Sequence, residues 1–236
     1  MLVYKYKGFS LKKKFQRELK DLEMNRFWAS NFKKLNDPFE TVIDSNYLEK
    51  CILKLGRLFI NIDSKKDIDF VNNNTREVLS FDRNNGIFSL SRTKLDELLW
   101  VHYANDHKGF CIEYDLDLLL TSDTIKDCFI VSYSAKPKKI NFLDIFRKRR
   151  MMKKNGGNKS LNWKYEKEIR IVTESYGHNY YRPSAVKSIY FGISMKKDDK
   201  ESIVKSLKGK NINYYQIYPI SGTYKLEYKK IDIIKE

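Results

Sequence analysis

The sequence predicts an α+β fold in a single mixed domain, and three observations predict it. Period-two and period-3.6 apolar patterns both occur, but they do not alternate regularly as consecutive βαβ units require. The 236 residues are 42% hydrophobic, enough for one buried core and within the size of one large domain, here 1–236. No Gly-x-Gly-x-x-Gly follows a strand and no Walker loop occurs, so a doubly wound nucleotide-binding fold lacks its fingerprints.

About eight strands and about four helices follow from the patterning. LVYKYKGF alternates apolar and basic residues and reads as a strand. In SLKKKFQRELKDLE, Leu11, Phe15, Leu19 and Leu22 form one stripe of an amphipathic helix, with Ser10 as its N-cap. RFWAS is a strand, and LNDPFE is a turn set by Pro38 with Asn36 or Asp37 bonding its own backbone. Ser45 to Leu58 has helical spacing, whereas 61–83 is rich in Asn and Asp and reads as a mobile insertion.

Asn84 to Gly86 is a turn into the strand IFSLS. KLDELLWVHYA places Leu95, Leu98, Leu99 and Ala104 near helical spacing, with Gly109 as a left-handed C-terminal cap. FCIEYD and CFIVSYS are strands, and NFLDIFRKRRMMKK is a helix ending at Asn155-Gly156-Gly157. ESYGHNYYRPS is a polar loop. VKSIYFG is a strand, DDKESIVKSLKG a helix, and NYYQIYPI and TYKLEYKKI two final strands.

The formal charge of +16 is unevenly placed. Residues 1–34 carry 10 Lys/Arg against 3 Asp/Glu and 136–170 carry 13 against 3, while 61–127 carry 8 against 13. Solvated lysines account for such an excess in bland terms, and a basic face for a polyanion accounts for it in functional terms. The functional reading is strongest at Arg147, Lys148, Arg149, Arg150, Lys153 and Lys154, a candidate contact for nucleic acid or phosphate. No run of about 18 apolar residues occurs and the N-terminus has no signal-peptide pattern, so no membrane association and a cytoplasmic location are expected. Three cysteines and three histidines are too few and too irregular for a disulfide framework or a metal site.

The most specific stretch is NKSLNWKYEKEIRIV, residues 158–172. If Tyr165 to Val172 is extended, Glu166, Glu168 and Arg170 share one face and Ile169 and Ile171 the other. Arg170 then holds one carboxylate ionised and leaves the other for a ligand hydroxyl, with Trp163 and Tyr165 as flanking aromatics. An exposed ion pair on an edge strand is the bland reading. A second constellation is LLWVHYANDHKG, where Leu99, Trp100 and Tyr103 make an aromatic helix face and His102 is a candidate acid or base.

LNDPFE, IFSLS, LLWVHYANDHKGFCIEYD and KSLNWKYEKEIRIV resemble, in order, the recurring blocks of an uncharacterised bacterial family of domains of unknown function. Leu35 and Ile169 stand where that pattern has aromatic residues. The order of elements is similar to the ADP-ribosyltransferase fold of DNA-modifying toxins, which implies a central split β-sheet flanked by helices. The resemblance implies NAD as cofactor, with Tyr4, Lys5 or Tyr6 in the first-strand position, Trp100, His102 or Tyr103 in the middle, and Trp163 and Arg170 beside the site. Glu168 would stabilise the cationic centre left when nicotinamide departs, and Glu166 would orient or deprotonate the acceptor. The implied function is an ADP-ribosyltransferase-like effector acting on nucleic acid or protein, a toxin or phage-defence component with an antitoxin or defence partner. The alternative is a nucleic-acid-binding module with a non-catalytic cleft. A metal-dependent nuclease built on Asp37, Glu40, Asp115, Glu166 and Glu168 is a weaker third reading, since their spacing matches no metal site.

Overall fold

A computed structural model describes residues 1–35, 37, 50, 84–139 and 147–232. Most of the LNDPFE turn, the helix expected over Ser45 to Leu58 and the insertion expected at 61–83 lie outside the described residues.

The chain opens with β1 (Leu2–Lys7), α1 (Lys12–Glu23) and β2 (Arg26–Asn31). The stripe in α1 buries Phe15 and Leu22. The helix starts one residue later than expected: Leu11, not Ser10, is the N-cap, and no side chain bonds the first turn. At the other end Lys210 Nζ donates to the carbonyls of Leu22 at 2.6 Å and Glu23 at 3.2 Å, satisfying helix-end acceptors from across the molecule.

Next come β3 (Gly86–Ser91), α2 (Glu97–Tyr103), β4 (Phe110–Asp115) and a single turn α3 (Leu116–Leu119) that patterning missed. Asp96 caps α2 by accepting from the Leu98 and Leu99 amides. The left-handed residues after α2 are Asn105, Asp106 and His107, not Gly109. Gly109 is needed for closeness instead: a Cβ there would lie 2.1 Å from the Lys7 carbonyl oxygen. The expected strand CFIVSYS is two strands, β5 (Ile125–Ile130) and β6 (Ser132–Ser134), interrupted at Val131.

Then follow α4 (Lys148–Gly156), β7 (Asn158–Ser160), a 3-10 helix over Leu161–Glu166, β8 (Glu168–Thr173) and β9 (Gly177–Tyr180). β9 lies in the segment expected to be a polar loop. The chain closes with β10 (Val186–Phe191), α5 (Lys197–Ser206), β11 (Asn213–Pro219) and β12 (Leu226–Lys230).

The protein is a mixed α/β single domain with one large mixed sheet. Its strands run β12-β11-β10-β4-β1-β3 and then divide, with β2 and β9 continuing on one branch and β8 and β5 on the other. Neighbours are antiparallel except β10 with β11. The division occurs at β3. One edge of β3 pairs along its whole length with β8, from Gly86↔Thr173 to Ser91↔Glu168. A strand has only two edges, so the other is shared by β1, which reaches it at Tyr4↔Ser91, and β2, which reaches it at Ser30↔Ile87 and Asn31↔Gly86. Between these contacts β1 and β2 diverge, and Lys5 Nζ enters the gap to donate to the Ser89 carbonyl at 2.8 Å.

Strand alternation sorts the side chains into two layers. Val3, Phe27, Phe88, Leu90, Ile112, Ile169, Ile171 and Ile189 face the main core beneath α1 and α5. Tyr4, Tyr6, Cys111 and Tyr190 face a second core with Leu99 and Trp100 of α2. Each such large apolar side chain contributes about 1.5–3 kcal/mol by burial. The opening in the sheet lies on the α2 side.

Candidate functional site

Tyr165 to Val172 is not one extended run. Leu161–Glu166 is a 3-10 turn, Lys167 is left-handed at φ 45° and ψ 44°, and β8 begins only at Glu168. Alternation therefore explains why Glu168 and Arg170 share a face, but not why Glu166 joins them. The turn carries Glu166 back over the same face, where the Ser91 hydroxyl bonds its carbonyl at 2.7 Å. β8 is also an inner strand between β3 and β5, and all six of its residues are buried, so the ion pair is not a solvent-side edge contact.

Arg170 is fully buried and forks onto Glu168, with Nε to Oε1 at 2.7 Å and Nη2 to Oε2 at 3.0 Å, while Nη1 donates to the Gly156 carbonyl at 2.7 Å. Lys159 on β7 bridges the two acids: its Nζ lies 2.6 Å from Glu166 Oε2 and 3.1 Å from Glu168 Oε2. The Tyr103 hydroxyl donates to Glu166 Oε1 at 2.5 Å. Tyr133 supports the frame by accepting from the Glu168 amide at 2.8 Å.

The two carboxyls are electrostatically unlike. Burial works against ionising Glu168, but Arg170 and Lys159 outweigh it and hold the group well below the usual carboxylate range. Burial dominates at Glu166 and pushes its carboxyl up, with Lys159 opposing and the charge on Glu168 adding. Two carboxyls whose surroundings push their pKa values apart are an arrangement that also occurs in acid/base sites.

Both acids line a cleft of about 160 Å³ in the opening between β1 and β2. Tyr4, Lys5 and Tyr6 come from β1, Ser30 from β2, Ile87, Ser89 and Ser91 from β3, and Leu99 and Tyr103 from α2. Pockets that enclose a drug-sized ligand have about 300–1,000 Å³, so this one takes a single ring with its substituents. Lys5 is held down to about 8, chiefly by burial and then by the charge of Lys7.

The remaining candidates are placed elsewhere. Trp100 is fully buried with Nε1 bonded to the Lys94 carbonyl, so the expected aromatic face divides and Tyr103 alone of the pair reaches the cleft. His102 is exposed near Tyr165, and Trp163 packs over Lys159, its ring 5.1 Å from Nζ. Arg170 supports the cleft from behind. In α4 Arg149 is occupied by a bidentate pair with Asp127, and Lys154 donates to the Lys139 carbonyl, while Arg147, Arg150 and Lys153 are exposed. Lys148 begins that helix. Among the described residues no three His, Cys, Asp or Glu side chains are grouped to hold a metal ion.

Sequence reasoning missed Lys159, Tyr133 and the serines of β3. Lys159 is one of 46 basic residues, and only its burial distinguishes it. Ser89 and Ser91 carried a period-two signal pointing to the same face as Ile87.

Residues 99–171 match the model of a family described as a protein of unknown function, DUF2971. The matched segment runs from α2 to β8 and so contains Tyr103, Lys159, Glu166, Glu168 and Arg170. Searches of curated proteins and of solved structures found no match.

Proposed function

We propose that the cleft takes the nicotinamide end of NAD as substrate, with the rest of the dinucleotide outside it, and that the protein is an ADP-ribosyltransferase-like effector. The observation that carries this reading is the meeting, in one cleft at the divergence of β1 and β2, of a fixed anion, Glu168, with a second carboxyl, Glu166, whose pKa burial raises. NAD supplies the ADP-ribosyl group and releases nicotinamide. Glu168, clamped by Arg170, places negative charge beside the ribose and stabilises the positive charge that develops there. Tyr4 and Tyr103 flank the ring, and Lys5 attracts the phosphates. Glu166 takes the proton of the incoming acceptor.

Glu168 already accepts from Arg170, Lys159 and the Ser89 hydroxyl. A ribose hydroxyl must therefore displace Lys159 or Ser89, and Lys159 has Glu166 as a second partner to retain it. The same saturation favours the second reading, a nucleic-acid-binding module whose buried ion cluster serves the fold alone. Release of labelled nicotinamide from NAD, measured with DNA, RNA or lysate as acceptor, separates the two. The first reading expects release that Glu168→Gln removes in a folded protein, and absence of release from the wild type contradicts it.

A further inference from the structure

The strand pair β2 and β9 carries a row of rings that the cleft does not use. In β2, Phe27 and Ala29 turn into the core, so Arg26, Trp28 and Ser30 turn to the opposite face. Trp28 is 47% exposed and Tyr180 55% exposed, both unusual for large aromatic residues on a sheet. The register sets His178 directly across from Trp28 and Tyr180 across from Arg26. The Trp28 and His178 rings meet edge to face at 4.9 Å between centroids. Tyr180 is the diagonal neighbour of Trp28, about 7–8 Å away and within reach of one bound planar group.

This row is continuous with the cleft. Ser30 lies two residues beyond Trp28 on the same strand face, about 7 Å along it, and is part of the cleft lining. The face has a definite chemical character: Trp28, His178 and Tyr180 all present π systems, and no aliphatic side chain lies among them on these strands. Arg26 is engaged by Asp21 at 2.6 Å and does not set the local charge. At the cleft end Lys34 is exposed, whereas Lys5 bonds the Ser89 carbonyl and Lys159 is paired with Glu166 and Glu168. Exposed flat rings on a chain of net charge +16 suit a polyanion with stacked bases better than an apolar protein surface.

We infer that the β2–β9 face is a stacking platform for single-stranded nucleic acid, which leads a base from Trp28 past Ser30 to the cleft. The acceptor class named here, an unpaired nucleotide, rests on the transferase reading of the cleft, whereas strand binding itself does not. A duplex keeps its bases stacked on one another, so it cannot use the platform in this way.

Fluorescence anisotropy of a labelled mixed-sequence single-stranded DNA and of the matching RNA tests the platform, with the unlabelled duplex as competitor and NAD turnover measured separately. The expected result is single-strand binding that Trp28→Ala or Tyr180→Ala weakens at least about fivefold, that Trp28→Phe largely keeps, and that duplex displaces poorly. Because these side chains are exposed, the variants should retain the wild-type melting profile. Absence of strand binding at low salt, or affinity unchanged in Trp28→Ala, overturns the inference. Strand affinity that is kept while NAD affinity falls assigns the platform to the dinucleotide's own adenine and also overturns it. Strand binding through Trp28 without any nicotinamide release leaves the platform standing and removes the transferase reading.

Discussion

Arg170 is the residue on which the site depends most. Its guanidinium is fully buried and donates to both carboxylate oxygens of Glu168 and to the Gly156 carbonyl. Arg170→Ala leaves a buried carboxylate that has lost its main partner, so urea unfolding should show a loss of about 3–5 kcal/mol. The folded-state pKa of Glu168 is depressed, so its stabilising effect is present above the unfolded value of about 4.3 and is lost as pH falls through the folded value. Glu166 is raised and acts in the opposite sense, favouring the fold most below about 4.3 and losing that effect as pH rises through its folded value. Lys5 gives a cleaner test. Its ammonium is disfavoured by burial and held down to about 8, so the folded state carries a penalty below that pH which vanishes above the unfolded value of about 10.4. Lys5→Met should therefore be more stable than wild type at pH 7, and the difference in urea midpoint should shrink between pH 8 and about 10.4. A constant difference across that range would show that the Lys5 environment is not desolvating.

At the scale of elements, the site is held by close backbone approaches that patterning could not reveal. Gly109 follows the left-handed run Asn105, Asp106 and His107 and lets β4 begin against the end of β1. A Cβ at that position meets the Lys7 carbonyl at 2.1 Å and the Ala104 carbonyl at 2.9 Å, both backbone atoms that cannot swing aside. Gly109→Ala should lower stability by at least about 2 kcal/mol in thermal or urea unfolding, and a neutral result would contradict the β1–β4 register. The sequence made the existence of most strands legible because their apolar alternation is clean. It misread the approach to β8, since YEKEIRIV alternates perfectly well as text. What breaks the strand is Lys167, whose left-handed conformation closes the 3-10 turn and inserts Glu166 from a different direction. Glu168 pairs with Arg170 directly, and Glu166 joins the cluster through Lys159 from a turn rather than from an extended strand. β9 escaped notice because Gly177 and His178 look like loop residues, and its pairing to Phe27 and Trp28 is long-range.

For the whole molecule, the site exists because one strand, β3, serves three others. Its full pairing with β8 and its two short contacts with β1 and β2 open the cleft, and no local pattern in the sequence encodes such a division. Composition pointed to α4 as the charged surface, yet Arg149 and Lys154 already bond Asp127 and Lys139. Clustered cations in a sequence do not reveal which of them fold back on their own chain. Of the cleft's lysines, Lys5 carries a role in the resemblance, whereas Lys159 is a single letter in a long run of ordinary text to which three-dimensional closure alone assigns one. The central claim is that Glu168 acts on a bound dinucleotide rather than serving only to neutralise Arg170. Nicotinamide release from labelled NAD, compared between wild type and Glu168→Gln at matched folded fraction, tests it most directly. The account predicts release by the wild type and a loss of at least about a hundredfold in the variant. Equal rates in the two proteins, or no release from either with every acceptor class, would contradict it.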